Sequence, residues 1–263
     1  MIKRELYMNR IRPFIGGELI KVMTGIRRSG KSVMLELIKE ELAEAGVAPS
    51  QMISINFEDM RYSHLQTATA LHDEIIKRAE GIEGKAYLFF DEIQEVEGWE
   101  KCVNSLRVAL DCDIYITGSN AKLLSGELAT YIGGRYVEFV IYPFSFAEFL
   151  ELYHTIAPSD SIQQCFQKYL LAGGMPYLAN LRYEEEPSRQ YLTDLFNSVQ
   201  LKDIVKRNKI RDIDLLERII AYMTANVGTV FSASSLAKFF KNEQRTVAAE
   251  TILNYVRYCC DAY

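Results

Sequence analysis

The sequence has 263 residues, of which 49% are hydrophobic and 25% are charged, and its formal net charge is −5. This composition is typical of an ordinary globular protein of one or two domains and excludes an intrinsically disordered chain. The acidic balance argues against a surface coated with basic residues for nucleic acid, so any nucleic-acid contact has to be local.

The sequence carries neither a membrane segment nor a secretion signal. It contains no run of about 18 uncharged apolar residues, and Met1–Glu5 lacks the apolar core of a signal peptide. The 5 cysteines include no C-x-x-C pair, and their odd count suits free thiols in a reducing compartment. We therefore expect a cytoplasmic protein without a membrane partner or a thiolate-bound metal.

Strands and helices are predicted to alternate through residue 142. The predicted strands are short apolar or alternating runs, at Leu19–Thr24, Gln51–Phe57, Ala86–Phe90, Asp113–Thr117 and Arg135–Tyr142. Amphipathic stretches predict helices at Glu5–Ile15, Val33–Gly46, Thr67–Ala79, Gly98–Leu110 and Ala121–Tyr131. This alternation predicts an α/β fold whose parallel sheet has helices on both faces.

After Ser145 the strand signals disappear and only amphipathic helices are predicted. These helices are expected at Phe146–Tyr153, Ser161–Leu171, Arg189–Lys206, Ile213–Asn226, Ser232–Lys241 and Glu243–Cys260. We therefore predict an α/β core over residues 1–145, an all-helical lid over 146–210 and a third, helical unit over 211–263.

Between the first strand and the helix that follows it, residues 25–32 match the phosphate-binding pattern G-x-x-x-x-G-K-[ST]. Glycines let the backbone turn its N–H groups toward an anion, and the helix N-terminus adds a partial positive charge at the same point. The pattern therefore predicts an ATP site, in which Lys31 reaches the β- and γ-phosphates and Ser32 holds Mg²⁺.

The predicted nucleotide contacts cover the loop and the first turn of its helix: Gly25, Arg27, Arg28, Ser29, Gly30, Lys31, Ser32 and Val33. The two arginines have an alternative role. Instead of touching phosphate, Arg27 and Arg28 could be solvated or paired with a carboxylate such as Glu58 or Asp59.

The acidic pair Asp91–Glu92 follows an apolar strand that has the character of a central strand. In open parallel sheets ligands bind beyond the carboxyl ends of the strands, so this pair and the glycine loop can converge on one nucleotide. Asp91 is predicted to hold Mg²⁺ through water, and Glu92 to polarise the attacking water as a general base. The alternative, an acidic pair that merely begins a solvated loop, is disfavoured once a full phosphate loop precedes it.

Three further polar residues complete the predicted catalytic set. Ser119 or Asn120, after the next strand, could lie between the attacking water and the γ-phosphate, or could equally cap the following helix. Arg135 enters the last strand and could act as an arginine finger on the nucleotide of this subunit or a neighbouring one. An exposed edge-strand arginine is the alternative.

The ordered motifs resemble those of the bacterial and archaeal AAA+ ATPases of uncharacterised function that carry a winged-helix and nuclease-like C-terminal region. The resemblance extends over nearly the whole chain and implies ATP and Mg²⁺ binding, water activation, a sensor and an arginine finger at the residues already named. It rests on Gly25–Ser32, Phe89–Gln94, Gly98–Glu100, Thr117–Ser119, Gly134–Arg135, Tyr142–Phe149, Gly173–Pro176 and Asp203–Val205.

The last segment, Ser232–Tyr263, resembles the helix-turn-helix of a winged helix and ends before any wing strands or following domain. We therefore expect a partial winged-helix unit, as in a truncated product. In the second helix of this segment, the positive charges of Arg245 and Arg257 are balanced by Glu243 and Glu250. Binding to DNA and contact with a protein partner therefore remain equally open. The basic residues between 202 and 211 suit a solvated helix face.

The sequence favours an ATP-hydrolysing switch or motor whose helical lid moves with the nucleotide state, and which could form a homo-oligomer. The alternative is a nucleotide-gated DNA-binding or adaptor protein with little turnover. A nucleotide kinase ranks last, because it would not use Asp91–Glu92 followed by Thr117–Ser119.

Overall fold

The computed structural model describes residues 2–119 and 132–262. Asn120 and the helix predicted at Ala121–Tyr131 lie outside these ranges. The chain forms two compact units, Met1–Arg189 and Gln190–Tyr263. The three-part division made from the sequence stays a prediction. No helix of the described ranges is both long and apolar enough to cross a bilayer.

The first unit is built on a five-stranded sheet in which every pairing is parallel. The strands, in chain order, are β1 (Ile20–Thr24), β2 (Met52–Asn56), β3 (Ala86–Asp91), β4 (Cys112–Thr117) and β5 (Tyr136–Val140). Their spatial order is β2-β3-β4-β1-β5. The predicted parallel α/β fold is therefore confirmed, and β4 separates the strand before the glycine loop from the strand that ends in Asp91.

Helices cover both faces of this sheet, as the sequence predicts. In chain order they are α1 (Glu5–Ile11), α2 (Lys31–Glu44), α3 (Ala68–Ala79) and α4 (Trp99–Ala109). Successive strand residues face opposite sides, so Phe89 and Tyr115 pack in one apolar core with α1 and α2, while Phe90 and Ile116 pack in the other with α3 and α4.

Three more helices follow the sheet. They are α5 (Phe146–Tyr153), α6 (Ile162–Ala172) and α7 (Glu185–Ser198), the last of which crosses from the first unit into the second. The predicted helix at Arg189–Lys206 is thus partly α7 and partly a π-helical segment, Val199–Lys206.

The second unit contains α8 (Ile213–Ala225), α9 (Ala233–Asn242) and α10 (Ala249–Cys260), which share a core that includes Leu236 and Phe240. The prediction of one helix over Glu243–Cys260 is wrong at its start, because the helix begins only at Ala249. Gln244 adopts a left-handed backbone conformation with φ +62°. The next residue, Arg245, forms an ion pair with the Asp212 carboxylate at 2.7 Å. This tertiary ion pair belongs to a turn, not to a continuous helix.

Candidate functional site

The glycine loop is packed so closely that its first glycine cannot carry a side chain. Gly25 has φ +137°, and a Cβ there would lie 2.2 Å from the backbone oxygen of Ile141, just after β5. Gly30, with φ +102°, stands at the N-cap of α2. Both backbone conformations favour glycine, so the loop shape is set by these two positions.

Lys31 begins α2 and is buried, with 4% of its surface exposed. Its Nζ donates hydrogen bonds to the carbonyl oxygens of Gly25 and Ile26, both at 3.1 Å. The same nitrogen lies 4.0 Å from Glu92 Oε1. Lys31 therefore links the loop to the acidic end of β3. The contact of Lys31 with phosphate and the catalytic role of Glu92 stay predictions.

Asp91 is held by a network of hydroxyl and amide donors at the end of β3. Thr117 Oγ1 donates to Asp91 Oδ1 at 2.5 Å, and Asn56 Nδ2 donates to Oδ2 at 3.1 Å. The Ser32 side chain also hydrogen-bonds to this carboxylate. Burial raises the pKa of Asp91 above its ordinary value, while the bonds from Thr117 and Ser32 act in the opposite direction.

This donor set fits the predicted magnesium ion. Mg²⁺ prefers hard oxygen ligands from carboxylates and hydroxyls, and the Asp91 carboxylate and Ser32 side chain already lie within hydrogen-bonding distance of one another. Bringing a cation to a buried carboxylate offsets the electrostatic cost of its burial. The structure therefore brings both predicted metal ligands together.

Glu92 has a backbone that residues with a side chain seldom adopt, with φ +55°. Its N–H donates to Thr117 Oγ1 at 2.9 Å, so one threonine hydroxyl contacts both members of the acidic pair. The mostly buried carboxylate accepts a hydrogen bond from Gln94 Nε2 and faces Lys31. Thr117 and the left-handed turn thus fix Glu92 beside the glycine loop.

Two buried serine hydroxyls at this edge of the sheet have no hydrogen-bond partner within the described part of the chain. They belong to Ser29, in the glycine loop, and Ser119, after β4. Because β4 lies between β1 and β3, Ser119 follows a strand located between the loop and Asp91. A buried hydroxyl left unsatisfied is costly, which suits a site completed by a polar ligand. Asn120, the other sensor candidate, falls outside the described ranges.

The remaining loop residues are less enclosed. The Arg27 guanidinium lies 3.6 Å from the Glu58 carboxylate, which is the carboxylate pairing that the sequence left open. Arg28 is exposed and has φ +65°. Val33 and Ser32 are exposed in the first turn of α2, where a ligand at the helix N-terminus can reach them.

Arg135 is not brought to this site. It precedes β5, and its carbonyl oxygen accepts a hydrogen bond from the N–H of Ile20, the first residue of β1. It therefore lies at the amino-terminal edge of the sheet, about 16 Å of strand away from the loop. Its guanidinium donates to Asn104 Oδ1 at 2.9 Å. A role as a finger in the chain's own site is excluded by this placement, and a role in a neighbouring subunit stays a prediction.

Sequence reasoning assigned no role in the site to three residues that organise it: Asn56, Thr117 and Arg4. Asn56 and Thr117 are the last residues of β2 and β4. Each lies at or near the carboxyl end of a predicted strand, but this signal is useful only once the strands that flank β3 are known. Arg4, which contacts the loop carbonyl of Ser29 at 3.0 Å, carries no comparable local signal.

A parallel sheet, a glycine loop between β1 and α2, and a buried aspartate at the end of β3 define a P-loop nucleotide-binding protein. The particular family follows from comparison with known sequences. The chain belongs to the AAA domain family, whose model matches residues 18–150, about half of the chain. A second model, for a domain of unknown function, matches residues 163–263.

Two curated relatives carry the name uncharacterized protein. One, from Haemophilus influenzae, is 38% identical over 257 residues, which cover 97% of this chain and 64% of the relative. The other, from Methanocaldococcus jannaschii, is 33% identical over 256 residues, covering 93% and 55%. The chain thus spans less than two thirds of the length of these relatives.

Among solved structures, the chain shows a likeness to the Aeropyrum pernix ORC1 protein in complex with DNA. It is 13% identical, with a TM-score of 0.45, over 98% of this chain and 83% of that chain. The family membership supports the AAA+ resemblance of the motifs and a nucleotide-binding, ATPase-like function.

Proposed function

We propose that this protein is a Mg²⁺-dependent ATPase that hydrolyses ATP to drive a conformational switch or motor. The observation that carries the proposal is the convergence of Lys31, Asp91 and Glu92 at one edge of the sheet, with 4.0 Å between Lys31 Nζ and Glu92 Oε1. Phosphate binding alone needs the loop and its lysine. A second carboxylate beside them is what hydrolysis requires.

The chain's own groups divide the work of the reaction. Backbone N–H groups of the loop and the Lys31 ammonium stabilise negative charge on the phosphates. Glu92 accepts a proton from the attacking water while the water oxygen bonds to the γ-phosphorus. The bond from the γ-phosphorus to the β–γ bridging oxygen breaks in the same step, and ADP leaves. Ser32 and Asp91 would hold Mg²⁺, which supplies charge neutralisation when bound.

The test is phosphate release from ATP in the presence of Mg²⁺. Glu92→Gln should bind ATP normally but turn over about 10²–10⁴-fold more slowly, as expected for loss of a general base. Lys31→Ala should lose ATP binding. Matched controls are Glu95→Gln, an exposed carboxylate in the adjacent short helix, and Lys39→Ala on the same helix as Lys31. Wild-type turnover no faster than that of Glu92→Gln would reject the proposal.

For the C-terminal unit we infer contact with a protein partner in preference to duplex DNA. Two of its arginines are engaged by its own carboxylates: Arg245 pairs with Asp212 and Asp214, and Arg218 with Glu243 and Asp214. Apolar side chains on α9 and α10 remain half-exposed, with Phe239 at 47% and Leu253 at 53%. Arginines that pair with internal carboxylates do not neutralise DNA phosphates, so they do not release the counterions of those phosphates.

Filter binding to duplex DNA at low salt, with and without ATP, tests this inference. We expect no salt-sensitive retention of DNA. Binding whose affinity falls steeply with salt concentration would favour instead the alternative of a nucleotide-gated DNA-binding protein.

A further inference from the structure

Arg4 joins three distant segments of the first unit through one buried guanidinium. It precedes α1 and is 3% exposed. Its Nη1 donates to the carbonyl oxygen of Ser29 in the glycine loop, at 3.0 Å. Nε and Nη2 donate to the Glu148 carboxylate at 2.8 and 3.3 Å, and Nη2 also donates to the Tyr142 carbonyl oxygen at 2.9 Å. Every nitrogen of this guanidinium therefore has a partner.

Aromatic rings fix the plane of the same guanidinium. The Arg4 Cζ atom lies 4.6 Å from the centroid of the Tyr7 ring and 5.1 Å from that of Phe144. Tyr7 is itself anchored, because its hydroxyl accepts a hydrogen bond from the N–H of Tyr142 at 3.0 Å. A planar, forked donor that contacts two rings is a role that lysine, with a single ammonium, does not reproduce.

Glu148 connects this contact to helix α5. Its Oε2 accepts hydrogen bonds from the N–H and the hydroxyl of Ser145, at 2.8 and 3.0 Å, which forms a capping box at the start of α5. The neighbouring Phe144 donates its N–H to the Gly174 carbonyl oxygen at 2.7 Å. A Cβ at Gly174 would lie 2.1 Å from the Phe144 oxygen. The motifs at 142–149 and 173–176 thus contact each other, and Arg4 links the first of them to the glycine loop.

We propose that Arg4 is a positioning residue for nucleotide binding. By holding the Ser29 carbonyl and the Glu148 carboxylate together, it keeps the glycine loop in its phosphate-binding conformation and ties that loop to α5. The inference rests on the proposed function in one respect, that ATP binds at the loop. ATP binding then restrains α5 through Arg4 and Glu148.

The first experiment compares ATP affinity among variants of the whole protein by titration calorimetry with Mg²⁺ and ATP. Arg4→Lys should weaken ATP binding about tenfold or more, because one ammonium cannot serve both partners. The turnover rate at saturating ATP should change less than about twofold, so the effect falls on KM. Arg12→Lys is the matched control, since Arg12 pairs with Glu5 and Glu41 and does not contact the loop.

Loss of stability alone is separated from this effect by two measures. Affinity is expressed per folded molecule, with the folded fraction read from the fluorescence of Trp99. Glu148→Gln keeps an acceptor for Arg4 but removes its charge, and should weaken ATP binding by about threefold. Equal affinity in wild type, Arg4→Lys and Glu148→Gln would overturn the inference.

The second experiment uses wild-type protein and amide hydrogen exchange. Mg²⁺ and ATP should slow exchange in residues 146–153 as well as in 26–32, whereas the control helix α4 should exchange unchanged. Protection of the loop without protection of α5 would overturn the proposed link. Absence of ATP binding by wild-type protein would instead reject the proposed function, so the two failures are distinguishable.

Discussion

Replacing Gly25 by alanine should destabilise the first unit more than the same replacement at a glycine with open space around it. The new Cβ would lie 2.2 Å from the Ile141 oxygen and 3.1 Å from its carbonyl carbon. Both are backbone atoms, and the Ile141 N–H donates to the Thr24 oxygen at 2.7 Å. Relief therefore requires the end of β5 to move away from β1 and that hydrogen bond to weaken.

The magnitude follows from two contributions. A residue with a side chain forced to φ +137° stores about 1–3 kcal/mol of strain. Displacing packed backbone typically adds about 1–3 kcal/mol, so the free energy of unfolding should fall by about 2–6 kcal/mol. Gly46 is the matched control. It has φ +91°, and a Cβ added there would meet nothing within 4 Å, so alanine at this position should lose only about 1–2 kcal/mol.

Urea unfolding followed by Trp99 fluorescence measures both losses. The sequence has a single tryptophan, Trp99, which is buried in the first unit. Its fluorescence therefore reports the unfolding of that unit alone. If Gly25→Ala unfolds with a free energy equal to or above that of Gly46→Ala, the reasoning about the close contact with Ile141 is wrong.

Three further predictions concern charge. Burial raises the pKa of Asp91, so the ionised carboxylate destabilises the fold at neutral pH. Asp91→Asn should therefore raise the melting temperature measured without nucleotide, and it should abolish the extra stabilisation by Mg²⁺ and ATP. A lower melting temperature of the variant would contradict this. Burial alone would raise the pKa of Glu148, but the hydrogen bonds from Arg4 and Ser145 lower it below its ordinary 4.5. The ionised Glu148 therefore stabilises the fold above that pH, and this contribution is lost as the pH falls below it. In urea titrations, Glu148→Gln should reduce the loss of unfolding free energy at acid pH, and an unchanged loss would count against the prediction. Arg135→Ala should bind ATP like wild type. If Arg135 acts in a neighbouring subunit, mixing the Arg135→Ala and Glu92→Gln variants should restore ATP turnover. No recovery of turnover on mixing would argue against that role.

The parts of the site that were predictable are those whose residues are adjacent in the sequence. The loop of residues 25–32, the order strand, loop, helix, and the acidic pair at the end of an apolar strand each leave a local pattern. Because parallel strands align their carboxyl ends, the convergence of Lys31 with Asp91 also followed from the predicted fold class. The chemistry expected of these residues needed no knowledge of strand order.

The supporting residues could not be predicted because they depend on which strands are neighbours. Thr117 contacts Asp91 and Glu92 only because β4 pairs directly with β3, and Asn56 reaches Asp91 only because β2 pairs with β3 on the other side. The contact of Arg4 with Glu148 spans 144 positions in the sequence. An arginine near the N-terminus is ordinarily an exposed residue, so composition and periodicity gave no reason to single it out.

Arg135 is a different case, because its position was implicit in the predicted fold. A residue that enters a strand of a parallel sheet lies at the amino-terminal edge, while ligands bind beyond the carboxyl edge. A finger acting on its own subunit was therefore inconsistent with the parallel sheet predicted from the same sequence. Only a neighbouring subunit, whose carboxyl edge faces this one's amino edge, could use Arg135 in catalysis. Arg135 is exposed at that edge, with Asn104 as its hydrogen-bond partner. If Arg135 acts in a neighbouring subunit, oligomerisation and catalysis should be lost together when that contact is disrupted.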